Sequence, residues 1–410
     1  MTFASPPQAP ERLHALDAVR AFALLAGIAF HATLSFLPGP QVWVVMDSQR
    51  SEALSVGFYV LHIFRMTTFF LIAGFFARMS LEKRGLWGFV GDRLKRIALP
   101  LAVMWPILIT AIVAMFIWGA STSGALPSNA PPPPLPTAAT FPLTHLWFLY
   151  VLLMLYAGAL LLRGVARTID WGGWLSRATD RLAGALIGNP LGLILLAAPL
   201  GAWLFYAPKW LPWFGIPTPD TGLVPNAAAL IGFGTAFGLG WLLNRRIDLL
   251  QALQRRWLLN LVLATGLIVA CVFQAGPEPR LTPMPRDGAK LIYAGCYVLA
   301  IWTSTFALIG LAQRFLSGYS AARRYLADAS YWLYLIHLPV VMAGQILVAR
   351  LDWPWPLKFA AILGVSVPLM LVSYQLLVRH SFIGRILNGP RPRRARAAPD
   401  VALPAPVDAA

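Results

Sequence analysis

Residues 16–37 read LDAVRAFALLAGIAFHATLSFL. At 1.5 Å per helical residue this apolar stretch is long enough to cross about 30 Å of hydrocarbon. It nevertheless carries Arg20 and His31. A spanning helix has no cheap place for a cation, so an ionisable side chain inside one marks a functional position. About three helical turns separate the two, which puts them on nearly the same side of the helix.

The rest of the chain has the same character. Of 410 residues, 58% are hydrophobic and 12% charged, against about 25% charged in a soluble protein; mean hydropathy is +0.66. Nine further apolar segments follow, at 55–78, 97–119, 144–163, 183–207, 223–243, 257–275, 289–312, 325–350 and 356–379. In water-free lipid each must satisfy its own backbone groups, which selects helices. The sequence therefore predicts an all-α integral membrane protein, a bundle of about ten transmembrane helices. The 16 Trp and 34 Pro suit interfacial anchors and breaks at span ends. Residues 1–15 hold one Arg and several prolines, and the apolar run after them is too long for a signal-peptide core, so it reads as a retained first span.

The net charge of +17 does not point to nucleic acid, because the cations collect at alternate ends of the apolar segments. Of the 33 Lys and Arg, 24 fall on one set of alternate loops and seven on the other. The positive-inside bias places both termini of this multi-pass chain in the cytoplasm. This divides it into a cytoplasmic tail at 1–15, a membrane domain at 16–379 and a basic, unstructured cytoplasmic tail at 380–410. The tail's RPRRAR run is expected to lie on anionic lipid. Cys271 and Cys296 both fall in apolar runs and read as packing residues. No internal repeat is visible, which weighs against a transporter built from two related halves.

All sixteen carboxylates lie in loops or near segment ends, with only Asp17 and Asp328 just inside a span. A proton acceptor at depth would then be histidine, whose unperturbed pKa near 6.5 suits general-base work. Counting helical rise, His31, His62 and His337 fall roughly 8–12 Å below the outer edge, and His145 opens the fourth segment. Each alone is accounted for by a polar contact between helices; four at one depth suggest a site. Arg65 stands one turn from His62 in HIFRM, on the same face. Its partner is Asp47 or Glu52 folding in from the first outer loop, a lipid headgroup, or a ligand anion such as a carboxylate. Arg20 pairs with Asp17, or joins Arg93 and Arg96 of the inner stretch DRLKRIALP in a cationic mouth suited to phosphates.

At these residues the chain resembles the acyltransferase type 3 family of bacterial membrane proteins. Arg20 and His31 match its Arg, ten residues, His signature, and FFLIAGF (69–75) its FFxxSGF element, with Ala73 where Ser is usual. Arg93 and Arg96 match an Arg-x-x-Arg element, and SYWLYLIHLP (330–339) a late Tyr-Leu-x-His stretch. The order of LDAVRAFALLAGIAFH, HIFRMTTFFLIAGFF, RLKRIALP, THLWFLYVLLML and ASYWLYLIHLP is similar to that of the branch that succinylates osmoregulated periplasmic glucans. That branch often has a second His after the late one, where this chain has Leu338.

The resemblance implies an acyl-CoA-dependent O-acyltransferase moving an acyl group from the cytoplasm to an extracytoplasmic sugar hydroxyl. On this reading His31 is general base or transient acyl carrier, with His62 and His337 assisting. Arg65, His145, Trp147 and Tyr334 bind substrate, and Arg20, Arg93 and Arg96 hold the coenzyme A phosphates. The donor is succinyl-CoA or acetyl-CoA, and the acceptor a periplasmic glucan or other polysaccharide. No metal, permanently bound cofactor or nucleic-acid partner is expected. An O-acetyltransferase of O-antigen or exopolysaccharide, or a glucan exporter, remains the alternative. The acyl group on the product separates the first, and loss of all periplasmic glucan in a deletion strain would identify the second.

Overall fold

The computed structural model describes residues 13–123 and 135–389. Most of the expected N-terminal tail, part of the proline-rich outer loop at 121–140 and the RPRRAR run lie outside the described residues. Thirteen α-helices are described: α1 (His14–Thr33), α2 (Glu52–Arg93), α3 (Leu99–Ser123), α4 (Trp147–Ile169), α5 (Trp174–Gly188), α6 (Leu191–Tyr206), α7 (Ala227–Arg245), α8 (Leu249–Arg255), α9 (Trp257–Ala275), α10 (Gly288–Phe315), α11 (Ala321–Ala349), α12 (Trp355–Ser373) and α13 (Phe382–Asn388). No sheet is present among these residues; one isolated antiparallel bridge joins Pro142 and Thr221.

Eight helical stretches are long and apolar enough to cross a membrane, or nine if the bent pair α5–α6 is one crossing. Two of the ten segments drawn from hydropathy, 55–78 and 97–119, fall in a single 71-residue run, Glu52–Thr122. That run is interrupted at Gly85, where φ is 69°, and by a π-helical turn at Leu94–Ala98. The stretch between those two segments is thus helical rather than a loop. The segment at 183–207 is corrected more sharply: α5 and α6 meet at 98°. Proline disfavours the helical region for the residue before it, and Asn189, before Pro190, is extended at φ −111°, ψ 136°. Hydropathy is continuous across this corner, which is why it reads as one span.

Small residues set how closely the helices approach. α2 and α7 pack along their length, and a Cβ at Gly74 would fall on the Phe237 carbonyl, one at Gly240 on the Leu71 carbonyl. Gly74 is the glycine of FFLIAGF, so part of that element serves backbone contact. α10 and α1 have the most buried apolar windows, at 72% and 67%, and α9 and the Glu52–Thr122 run the least, at 22% each. The helix carrying Arg20 and His31 therefore sits inside the bundle, packed on α2, α10, α11 and α12. Side chains such as Phe273 and Leu376 project outward from the periphery, where hydrocarbon replaces water as their solvent.

Candidate functional site

One cavity of about 630 Å³ is lined by α1, α2, α3, α4, α7, α11, α13 and segments between them. Arg20, His31, His62, Arg65, Arg93, Arg96, His145, Trp147, Tyr334 and His337 all face it. It runs from the basic group Arg20, Arg93 and Arg96 to the histidines roughly 16 Å further along α1. The side chains placed at two depths by counting residues thus share one continuous space.

The four histidines divide three to one. The ring of His337 lies 5.1 Å from His31 and 5.2 Å from His145, centroid to centroid. His62 instead stacks on Phe30 and Phe58, at 5.6 and 5.9 Å. Proline orients one member of the cluster. In an α-helix the Leu335 carbonyl would accept from residue 339, but Pro339 has no N–H. His145 Nε2 occupies that place, 2.9 Å from the Leu335 oxygen. A carbonyl only accepts, so Nε2 carries the proton and Nδ1 of His145 keeps its lone pair. By the same reasoning His337 Nδ1 donates to the Tyr334 carbonyl at 2.7 Å, leaving the Nε2 lone pair available. The Tyr334 hydroxyl donates to the His145 carbonyl at 2.7 Å, so its proton is committed to the scaffold. His31 Nδ1 is buried without a protein partner.

Two residues that sequence reasoning missed hold His31 in place. Gln345, buried on α11, donates from Nε2 to the His31 carbonyl at 2.9 Å and accepts from Trp43 Nε1 at 2.9 Å. The Trp43 ring centroid then stands 6.5 Å from that of His31. Sequence offers no signal for this: an amide on an apolar helix has no partner until helices are packed.

Arg65 is the outstanding charge. It is buried, its guanidinium carbon lies 4.1 Å over the Phe30 ring centroid, and its Nε has no hydrogen-bond partner. Gly27 makes room for it, since a Cβ there would come within 3.1 Å of Nη1. Neither expected carboxylate reaches it. Asp47 is taken by Lys358 Nζ at 2.8 Å, both side chains being almost fully buried, and Glu52 is exposed at the first turn of α2. No acid pairs with Arg65 among the described residues.

The basic mouth is partly neutralised. Arg20 reaches Asp17 at 3.3 Å and the Ala327 carbonyl at 3.0 Å, so the pairing expected from sequence is present while the side chain still lines the cavity. Buried Asp92 lies 3.5, 3.3 and 3.1 Å from Arg84, Arg93 and Arg96. Three guanidiniums against one carboxylate leave a positive excess. A second proline device fixes this turn: Pro100 lacks the N–H due to the Arg96 carbonyl, and the Tyr331 hydroxyl donates to it at 2.6 Å. Trp147 stacks on Phe233 at 5.4 Å along the cavity wall. Cavity-lining Asp220, Thr218 and Asn388 were also missed; the turn-rich PTPDTG (217–222) was the available signal for the first two.

The sequence profile of the acyltransferase domain matches residues 13–375, and the chain belongs to the acyltransferase type 3 family. Its apolar helices make it a multi-pass membrane member of that family. Curated relatives include glucans biosynthesis protein C of Escherichia coli strain SMS-3-5, 30% identical over 149 residues, and that of Escherichia coli strain Crooks, 29% identical over 149 residues. Each match covers 36% of this chain and 38% of the relative. No solved structure matches the chain.

Proposed function

We propose that this protein transfers a succinyl group from cytoplasmic succinyl-CoA to hydroxyl groups of a periplasmic glucan, with both its termini in the cytoplasm of a bacterial inner membrane. The carrying observation is the single cavity that joins the basic mouth at Arg20, Arg93 and Arg96 to the cluster His31, His337 and His145. The basic mouth suits the donor's phosphates. The thioester then reaches the histidines, where the acceptor hydroxyl enters from the other side.

His31 is the general base. Its neutral imidazole takes the hydroxyl proton as the oxygen attacks the thioester carbon, and the imidazolium returns that proton to the departing coenzyme A thiolate. One C–O bond forms, one C–S bond breaks, and the base is regenerated. A positioned base of this kind contributes roughly 10²–10⁴-fold. A hydrogen-bond donor beside the carbonyl stabilises the developing oxyanion. That role goes to His62, whose Nδ1 has no partner, while His337, its Nδ1 proton held by the Tyr334 carbonyl, offers its Nε2 lone pair to orient the acceptor hydroxyl. Arg65, buried with no acid partner, receives the distal carboxylate of the succinyl group through paired, charge-assisted hydrogen bonds. That pairing favours succinyl over acetyl.

Mass and charge analysis of periplasmic glucans tests the reading, in a deletion strain complemented with wild type or His31→Ala. Normal glucan abundance with succinyl groups present only in the wild-type complement is expected. Full modification with His31→Ala would remove the mechanism, acetyl groups would move the donor assignment, and loss of all glucan would favour export.

A further inference from the structure

The outer mouth of the cavity is built by two loops with no role in the scheme above. Backbone hydrogen bonds join segment 138–144 to segment 220–223: Leu223 N to Ala138 O at 2.7 Å, Gly222 N to Phe141 O at 2.9 Å and Thr144 N to Asp220 O at 2.9 Å. The Pro142–Thr221 bridge lies between them. The ladder ends at Thr144, the one non-glycine residue with positive φ, 48°, among the described residues. Such a conformation costs on the order of 1–3 kcal/mol and persists where the surroundings dictate it. Here the Asp220 carbonyl holds the Thr144 N–H, immediately before His145.

We infer that these paired loops form the acceptor subsite, in which the Asp220 carboxylate accepts hydrogen bonds from the hydroxyls of a neutral glycosyl residue. The inference rests on the acyl-transfer reading for what happens next, but its chemistry is local. Asp220, Thr218 and Thr144 line the cavity. Among the described residues the only other lining carboxylate is Asp328 at the opposite end, 3.2 Å from Arg324. Asp220 is exposed at this mouth; desolvation by the surrounding protein raises its pKa, against the backbone N–H groups of Asp220 and Thr221 that meet the carboxyl. A charged acceptor oxygen at a mouth is well suited to sugar hydroxyls, since hydrogen bonds to ionised groups are the stronger kind. Trp43 and Phe116 line the same cavity, and Trp43 has committed its N–H to Gln345, leaving its ring for the apolar face of a sugar. The negative charge also disfavours an anionic acceptor at this end, so the subsite selects a neutral glycan.

The test uses full-length protein in lipid nanodiscs, with a neutral glucan oligosaccharide as probe. Asp220→Asn is expected to weaken oligosaccharide binding, measured calorimetrically without donor, and to raise the acceptor KM roughly tenfold or more. The donor KM should stay within about twofold, and Asp220→Glu should recover part of the loss. A misfolded variant would show itself by raising both KM values and lowering the melting midpoint, and that outcome with Glu as well as Asn would overturn the inference. So would unaltered binding in Asp220→Asn. Should the wild type bind the oligosaccharide through Asp220 yet transfer no acyl group to it, the reaction assigned above fails and the subsite stands.

Discussion

His145 fills the hydrogen-bonding place that Pro339 leaves open: its Nε2 lies 2.9 Å from the Leu335 carbonyl, four residues before a proline that has no N–H to offer. One residue of the late YLIHLP stretch thereby fixes the tautomer of a histidine 194 positions earlier. Pro339→Ala restores the helical donor and makes His145 compete for the carbonyl. Transfer should fall about tenfold, while the melting midpoint holds or rises, because proline inside a helix costs stability. Purified protein assayed for both quantities checks this; unchanged transfer would show that His145 needs no such anchor.

Arg65 yields a donor-dependent prediction. Losing a charge-assisted pair to a substrate carboxylate is worth about 1.5–3 kcal/mol, or roughly 10–100-fold. Arg65→Gln should therefore depress succinyl transfer by that factor and acetyl transfer much less, with Lys recovering part of the succinyl rate. Gly27→Leu, which crowds Nη1 from the neighbouring helix, should mimic the loss in milder form. Equal losses with both donors would assign Arg65 a purely structural role.

Counting helical rise grouped the histidines apart from the inner arginines, and one cavity takes up both groups; that His62 lies on Phe30 and Phe58 while the other three cluster depends on packing that residue number does not carry. Other relations were not legible for physical reasons. Whether Arg65 has an acid partner turned on Asp47, and Asp47 belongs to Lys358, 311 residues away; hydropathy carries no information about such pairing. Asp220 was passed over because a carboxylate in a loop has no depth until the loop packs. The corner at Asn189–Pro190 was written in the sequence, as a proline signal, but the apolar run on both sides outweighed it.

The Asp47–Lys358 pair should behave as a buried ion pair whose halves are unequal in value to the whole. Lys358→Met strands a buried carboxylate, for about 3–5 kcal/mol, and loosens the first outer loop, where Asp47 also accepts from the Gln49 N–H at 2.8 Å. Asp47→Asn with Lys358→Met removes both charges and should recover most of that stability. Melting midpoints of the two single variants and the double variant complete the cycle. Additive losses would mean the two side chains act independently.

The basic mouth makes a prediction of opposite signs. Asp92 is a buried carboxylate facing Arg84, Arg93 and Arg96, so it both orders these guanidiniums and offsets their attraction for an anion. If phosphates of the donor bind here, Arg93→Gln and Arg96→Gln each remove one charge-assisted contact and should raise the donor KM roughly tenfold. Asp92→Asn should do the reverse at low ionic strength: the uncompensated positive field draws the donor in, and its KM falls. That gain should fade as salt is added, since the Debye length shrinks to about 8 Å at physiological strength. It should also come with a lower melting midpoint, from repulsion among arginines left without their shared partner. Donor KM measured against salt for the three variants decides the matter. A rise in donor KM for Asp92→Asn at every salt concentration would mean that the carboxylate's ordering of the arginines outweighs its charge, and the electrostatic account of this mouth would have to be abandoned.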